Sequence, residues 1–207
     1  MQGSSNVSKQ INFALATGLI ISMAESVGDM SISADTALAI SSIDLVTVLK
    51  FAIILFWGLK LYIQFNSLAD SKKSRLHPAL DLSLSVFCYF SLVAASQFLL
   101  SDTVYLRSLA VFFGLMTAWV ILTLLFELLE VGETTKRGRV WLVPIRAFWI
   151  LISLAGFGLA IIAQYRGEYP LWTILGGILF VGFLDALVSG TFSRQNLLVK
   201  SKLFQET

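Results

Sequence analysis

The sequence predicts an all-α polytopic integral membrane protein with five transmembrane helices and a possible short N-terminal helix or sixth span. Of its 207 residues, 57% are hydrophobic and only 14% are charged, whereas soluble domains carry about 25% charged residues. The apolar residues form runs of about 20 without the period-2 alternation of strands, which is the length a helix needs to cross a bilayer. Basic residues follow every second run, as the positive-inside rule requires.

Five apolar runs are expected to cross the membrane as one helical bundle over residues 43–190. Short polar links join them, so consecutive helices should be antiparallel neighbours. Pro78 lies where a helix can begin, because its missing N–H is not needed there. Ser101 and Asp102 predict a tight turn. The predicted spans are 43–65, 79–100, 104–131, 142–164 and 171–190.

The N-terminal segment, residues 1–42, is harder to assign. Its apolar run, residues 11–24, is shorter than a full span and resembles a signal peptide with a small-residue end. We favour an uncleaved short span or re-entrant helix over an interfacial amphipathic helix. Residues 25–42 carry three acids and no base, which is typical of an external loop or a short surface helix.

The basic residues predict the orientation. Twelve of the fifteen lie in residues 1–10, 66–78, 132–146 and 191–207 or at the neighbouring Lys60. This set should therefore face the cytoplasm, together with the tail 191–207 and the C-terminus. Short external loops without a glycosylation sequon favour a bacterial inner membrane.

Charged residues at membrane depth fall in two predicted layers. A charge at the bilayer centre costs about 2.5–3.5 kcal/mol on insertion scales, so each charged residue within a span should have a structural or functional role. Two interpretations stay open: ion pairs that fix helix register, with lysines extending to the headgroups, or a polar vestibule for an ion or proton path. The inner layer comprises Lys60, Asp81, Glu127, Glu130, Arg146 and Asp185, and the outer layer Asp44, Lys50 and Arg107.

Lys50 is the most unusual residue of the outer layer. Asp44 lies six residues earlier, too far round the helix for a close pair. We expect Lys50 to extend outward, or to pair with an acid on another span or loop. Lining a pore is the alternative.

Small residues at four-residue spacing mark candidate helix contacts. Gly156 and Ala160 share one face of the fourth span, and Gly182, Ala186 and Gly190 share one face of the fifth. Such spacing lets helices approach closely in lipid. It fits ordinary contacts within the chain and also a homo-oligomer interface.

No motif predicts catalysis or a cofactor. The single Cys88 lies in an apolar run and the single His77 in a polar loop, so no metal site is expected. No phosphate-binding loop or nucleophile motif is present. The net charge of +2 is too small to suggest nucleic-acid binding. We therefore expect a protein that is not an enzyme and carries no cofactor or metal.

Three functional hypotheses remain. The first is a non-enzymatic, homo-oligomeric membrane subunit that anchors or signals to a cytoplasmic protein. Its docking surface, which would also attract anionic lipid of the bilayer, consists of Lys72, Lys73, Arg75, Lys136, Arg137 and Arg139. The second is an ion channel or small transporter with a charged inner vestibule. The third is an intramembrane lipid-modifying enzyme.

Overall fold

The computed structural model describes the backbone of residues 2–33, 44–70, 78–130, 136–165 and 170–189. Within these ranges the chain is helical, with no strand, apart from the turn at residues 98–101 and the residues that precede two helices. The helices are α1 (Gln2–Ser33), α2 (Leu45–Asp70), α3 (Pro78–Gln97), α4 (Asp102–Glu130), α5 (Lys136–Tyr165) and α6 (Leu171–Ser189).

The predicted fold class is confirmed, and the protein is a helical integral membrane protein. Five helices contain stretches long and apolar enough to cross a membrane: Val7–Gly28, Leu45–Asn66, Leu80–Gln97, Asp102–Phe126 and Ala147–Gln164. The shorter apolar helix α6 has 19 residues, which at about 1.5 Å per residue nearly matches a hydrocarbon core of about 30 Å.

Three helices extend further than the sequence predicts. Helix α2 continues to Asp70, five residues into the polar loop expected from residue 66. The N-terminal helix α1 is continuous from Gln2 to Ser33, so residues 25–33 are helical rather than part of an external loop. Its apolar stretch of 22 residues is a full span rather than a short one. Helix α5 begins at Lys136, inside the loop expected before residue 142. Lys and Arg are good helix formers, so a basic segment can extend an apolar helix into the headgroups.

The six helices pack as a ring. In order around it they are α1, α2, α6, α5, α4 and α3, with α3 returning to α1 and a further contact between α2 and α3 across the interior. Neighbours in sequence are antiparallel: Asn12, early in α1, meets Asn66, late in α2. Helices α2 and α6 are parallel, since Gly182 lies against Phe56 and Asp185 against Lys60.

The ring buries an apolar core on which the polar site is built. Leu19, Ile53, Leu92, Leu109 and Ile178 come from five of the helices, and each is at most 4% exposed. Large apolar side chains on the outer faces remain exposed, as expected for a bundle surrounded by lipid tails. The ends of the bundle nearest Lys60 and Lys50 are called below the Lys60 end and the Lys50 end. The Lys60 end is the one that the basic residues predict to be cytoplasmic.

Candidate functional site

Lys60 and Asp185 form an ion pair in the interior of the ring. Lys60 Nζ contacts Asp185 Oδ2, joining α2 to α6. Their side chains are 1% and 8% exposed, although Lys60 lies ten residues before the end of α2. The expectation that Lys60 extends to the headgroups is therefore wrong. Its ammonium ion turns inward because a carboxylate on the parallel neighbour α6 is close enough to neutralise it.

The indole of Trp57 forms one wall of this site. Trp57 lies three residues before Lys60, on the same face of α2. Lys60 Nζ lies 4.5 Å from the centroid of the Trp57 ring, so a cation here meets both a carboxylate and an aromatic face. The ring also reaches α6: its Cζ2 is 3.1 Å from the ideal Cβ position at Gly182. The surroundings of the Lys60 ammonium group are therefore built from α2 and α6 together.

Besides Lys60 Nζ, whose partner is the ion-paired carboxylate, two polar atoms at this site are buried without a hydrogen-bond partner among the described residues. They are Asp185 Oδ1 and the indole nitrogen Nε1 of Trp57. Buried polar groups in proteins are nearly always paired, and leaving one unpaired costs about 1–3 kcal/mol. The two atoms are an acceptor and a donor, so the site offers polar contacts that the described part of the protein leaves unused.

An aromatic cluster fills the ring between its two charged ends. The Trp57 ring makes edge contacts with Phe112 and Phe113 of α4, with centroids 5.6 Å and 5.0 Å apart. Two glycines make room for it. A Cβ at Gly182 would lie 2.7 Å from Phe56, and a Cβ at Gly156 would lie 2.7 Å from Phe113. The aromatic cluster therefore separates the Lys60–Asp185 pair from the charges at the Lys50 end.

Lys50 also has an acidic partner, on the predicted turn. Its Nζ lies 2.5 Å from Asp102 Oδ1 and 2.5 Å from the carbonyl oxygen of Leu99, to both of which it donates. Tyr105 OH donates to the carbonyl oxygen of Lys50 at 3.0 Å. Lys50 is 3% exposed and Asp102 is 58% exposed. The side chain of Lys50 thus extends toward the membrane surface and links α2 to the turn between α3 and α4.

Asp81 lies at the Lys60 end and accepts a hydrogen bond from Trp119. The indole nitrogen of Trp119 on α4 is 2.8 Å from Asp81 Oδ1 on α3. Both side chains are buried. This contact joins the neighbouring helices α3 and α4.

Neutral polar contacts hold α1 on the ring. Asn12 Nδ2 donates to Asn66 Oδ1 at 3.0 Å and to the carbonyl oxygen of Tyr62 at 3.2 Å. Toward the Lys50 end, the hydroxyls of Ser22 and Ser96 lie 2.7 Å apart. Hydrogen bonds between helices are a main source of association in lipid, where no hydrophobic force acts between them.

The small-residue stripes lie at contacts within the chain. Gly156 faces α4, and Gly182 faces α2. Ala160 and Ala186 are buried, at 0% and 3% exposure. These four residues therefore make contacts between helices of the same chain, which fits the first of the two interpretations. Gly190 lies outside the described residues.

The other predicted site residues fall where the structure describes no side chain. Lys72, Lys73 and Arg75 lie outside the described residues altogether. The others lie at the end of α4 and the start of α5, where only the helical backbone is described. They are Glu127, Glu130, Lys136, Arg137, Arg139 and Arg146. The docking surface and the assignment of Glu127, Glu130 and Arg146 to the inner layer of charges thus stay predictions.

Trp57 and Asn12 are site residues that the sequence analysis did not single out. The spacing of Trp57 and Lys60 could have indicated a shared helix face. Nothing in the sequence indicates that α6 is the helix on which that face packs. Among the described residues no group of three or more His, Cys, Asp or Glu side chains could hold a metal ion.

Comparison of the chain with protein-family profiles, with curated proteins and with solved structures finds no match. The site is therefore interpreted from its own geometry.

Proposed function

We propose that this membrane protein is a small transporter that moves a cation through the interior of its helix ring. The observation that carries the proposal is the buried Lys60–Asp185 pair, in which one carboxylate oxygen has no hydrogen-bond partner among the described residues. Ionisable side chains inside a membrane are costly and typically mark ion or substrate pathways. This proposal follows the hypothesis of a channel or transporter with a charged inner vestibule. It assigns no catalytic activity to the protein.

The architecture around the pair supports this proposal. Polar groups lie at both ends of the ring, and the Trp57–Phe112–Phe113 cluster lies between them. An apolar constriction between two polar regions is a common way to gate conduction, because it excludes water until the helices move. Helices α2 and α6 supply both the charge pair and the glycine contact of Trp57, so a shift between them would change the site and the constriction together.

Flux through purified protein in liposomes tests the proposal. Vesicles with an imposed Na⁺ or K⁺ gradient and an internal pH-sensitive dye would report cation movement and any coupled proton movement. We expect the wild-type protein to carry flux and Asp185→Asn to lower it at least tenfold. Asp102→Asn is the matched control, because it removes a carboxylate from the exposed end of the Lys50 contact. Equal flux in wild-type and Asp185→Asn vesicles would refute the proposal.

A second candidate function is the membrane subunit that docks a cytoplasmic protein. The observation that favours it is the collection of basic residues on one predicted face, including Lys72, Lys73, Lys136 and Arg137. Changing these four to Glu should release a bound partner. A complex that co-purifies unchanged would argue against this function.

A further inference from the structure

We infer that the junction of α1, α2 and α3 is an internal hydration site, in which bound water bridges Asn12, Ser85 and Tyr89. Each of these three helices packs against the other two. Three buried polar atoms there have no hydrogen-bond partner among the described residues: Asn12 Oδ1, Ser85 Oγ and Tyr89 OH. The site shares no residue with the Lys60–Asp185 pair, so the inference does not depend on the transport proposal.

The hydrogen bonds of Asn12 fix the orientation of its amide group. Asn12 is 0% exposed, and its Nδ2 donates to Asn66 Oδ1 and to the carbonyl oxygen of Tyr62, both on α2. An amide nitrogen donates and an amide oxygen accepts, so these two acceptors show which end of the group faces α2. The oxygen Oδ1 points away from them. Helix α3 is the second neighbour of α1, so Oδ1 is available to a group on that side.

The two hydroxyl groups lie on the face of α3 that meets α1. That face is marked by Ser96, whose hydroxyl lies 2.7 Å from the hydroxyl of Ser22 on α1. Tyr89 and Ser85 precede Ser96 by seven and eleven residues, which is close to two and three full turns at about 3.6 residues per turn. The three residues therefore form one stripe along α3. The side chains of Ser85 and Tyr89 are both 0% exposed.

The amide and the two hydroxyl groups also lie at one level of the bundle. Helices α1 and α3 are parallel, because each runs antiparallel to α2. Ten residues before the serine contact lie Asn12 on α1 and Val86 on α3, and at about 1.5 Å per residue the two are level. Val86 lies between Ser85 and Tyr89 in the sequence. The three atoms without partners are thus placed on facing helices at the same depth.

The chemistry of these atoms fits water. Buried polar groups are nearly always paired, and an internal water typically makes about three hydrogen bonds to groups that the protein leaves unsatisfied. Asn12 Oδ1 only accepts, whereas the two hydroxyls both donate and accept, so one water can bond all three. A cation would be left without a countercharge, which is costly in a nonpolar interior. The nearest acid along α3, Asp81, accepts a hydrogen bond from Trp119 on α4.

Water reaches the junction from the Lys60 end. Asn66, which bonds Asn12, is the last residue of the apolar stretch of α2 and is 9% exposed. It therefore lies where the hydrocarbon region meets the hydrated headgroups. Helix α1 is then held on α2 by direct hydrogen bonds and on α3 partly through water.

Hydroxyl-radical footprinting of the purified full-length protein in nanodiscs tests the inference. Short X-ray pulses generate radicals from water beside a side chain, and mass spectrometry locates the modified residues. Tyr105 is the matched control for Tyr89, because both are 0% exposed and Tyr105 OH donates to the carbonyl oxygen of Lys50. We expect Tyr89 to be modified at least tenfold faster than Tyr105. Equal rates for the two tyrosines would overturn the inference.

Ser85→Val should exclude the water, because two methyl groups replace the hydroxyl that bonds it. We expect this variant to lower the modification rate of Tyr89 at least tenfold. Ser91→Val is the control on the same helix, since the Ser91 hydroxyl already donates to the carbonyl oxygen of Phe87, and it should leave the rate at Tyr89 unchanged. A folded Ser85→Val protein that is modified at Tyr89 as fast as the wild type would overturn the inference.

Tyr89→Phe gives a second measurement that needs no change in packing. Removing a hydroxyl that bonds water loses a hydrogen bond, whereas removing a hydroxyl that is buried dry relieves an unpaired polar group. We therefore expect Tyr89→Phe to lower the melting temperature in detergent. A higher melting temperature for Tyr89→Phe would show that the hydroxyl lies in a dry interior and would overturn the inference.

Discussion

At the Lys60–Asp185 pair, removing one partner and removing both should have different effects on stability. Lys60→Met leaves a buried carboxylate without its counterion, which typically destabilises a protein by about 3–5 kcal/mol. Apolar replacement of both members of a buried pair is often neutral or stabilising. We therefore expect Lys60→Met to lower the melting temperature in detergent and a second change, Asp185→Leu, to recover it. Additive losses in this double-mutant cycle would contradict the pairing.

The Lys50 contact should tolerate loss of its acid better. Asp102 is 58% exposed, and Lys50 keeps its second acceptor, the carbonyl oxygen of Leu99. We expect Asp102→Asn to cost no more than about 1 kcal/mol, as is typical of exposed ion pairs. Thermal unfolding of Asp102→Asn beside Asp185→Asn would measure the difference. A larger loss of stability for Asp102→Asn than for Asp185→Asn would contradict this expectation.

The cap of α2 gives a pH-dependent contribution to stability. Asp44 Oδ1 accepts a hydrogen bond from the backbone nitrogen of Thr47 at 2.8 Å, and hydrogen bonds from Thr47 hold the pKa of Asp44 below its ordinary value of 3.8. The folded form therefore favours the carboxylate. Its contribution is complete above the unfolded pKa and is lost as pH falls through the lower, folded pKa.

Asp44→Ala should therefore cost about 1 kcal/mol near neutral pH, as loss of a helix cap usually does. The difference from the wild type should shrink below about pH 4. Asp44→Asn keeps a capping side chain without a titratable group, so it should remove the pH dependence and keep most of the stability. Thermal unfolding at pH 7 and pH 3 measures both. An unchanged difference at the two pH values would contradict the capping role.

At the scale of helices, two glycines limit how α5 and α6 pack. A Cβ at Gly156 or Gly182 would lie 2.7 Å from an aromatic ring, and overpacking a filled interior typically costs about 1–3 kcal/mol. Gly156→Ala and Gly182→Ala should both lower the melting temperature. Gly158→Ala and Gly176→Ala are matched controls with no atom within 4 Å. They should be neutral or slightly stabilising, since Ala favours helix more than Gly. Equal effects at all four positions would refute the packing role.

Helix positions could be predicted from the sequence far better than helix neighbours. Apolar runs placed α3, α4 and α6 to within a few residues, because crossing a bilayer requires about 20 apolar residues whatever the packing. Both ends of α1, the end of α2 and the start of α5 were missed, since polar and basic residues can continue a helix beyond the hydrocarbon. Hydropathy marks where the lipid ends, and the hydrogen-bonded helix does not have to end there.

The candidate site could be predicted only in part. Lys60 and Asp185 were assigned to one layer from their depth, yet their pairing depends on α2 and α6 being neighbours in the ring. Sequence spacing carries no information on that order. The partner of Lys50 agrees better with the sequence. An acid on another span or loop was expected, and Asp102 lies at the predicted turn. Trp57 was missed because an aromatic residue in an apolar run is usually lipid contact or core.

For the whole molecule, we expect all six helices to cross, the shorter α6 included, so that both chain ends lie on one side of the membrane. The antiparallel contacts of α1 with α2 and the parallel contact of α2 with α6 support this arrangement. The basic residues predict that this side is the cytoplasm. Reporter fusions at residue 1 and residue 207 should both show cytoplasmic exposure. Reporters on opposite sides would mean that one helix, α1 or α6, does not cross.

The oligomeric state tests how much of the site lies within one chain. The ring closes within the chain, and Gly156, Ala160, Gly182 and Ala186 are used in it. A transporter built this way needs no copy of itself to complete the Lys60–Asp185 site. Native mass spectrometry from nanodiscs, with any co-purifying protein identified, measures the assembly. A monomer with flux fits the transport proposal, whereas a stable complex with a soluble protein and no flux would favour the docking function.

We propose that the Lys60–Asp185 pair serves transport rather than folding alone. Its most direct test is cation flux by the double variant Lys60→Met/Asp185→Leu in liposomes, after its melting temperature has been measured. We expect a protein at least about as stable as the wild type that carries no flux. A double variant that folds and carries cations at the wild-type rate would contradict the claim and make the pair a structural contact between α2 and α6.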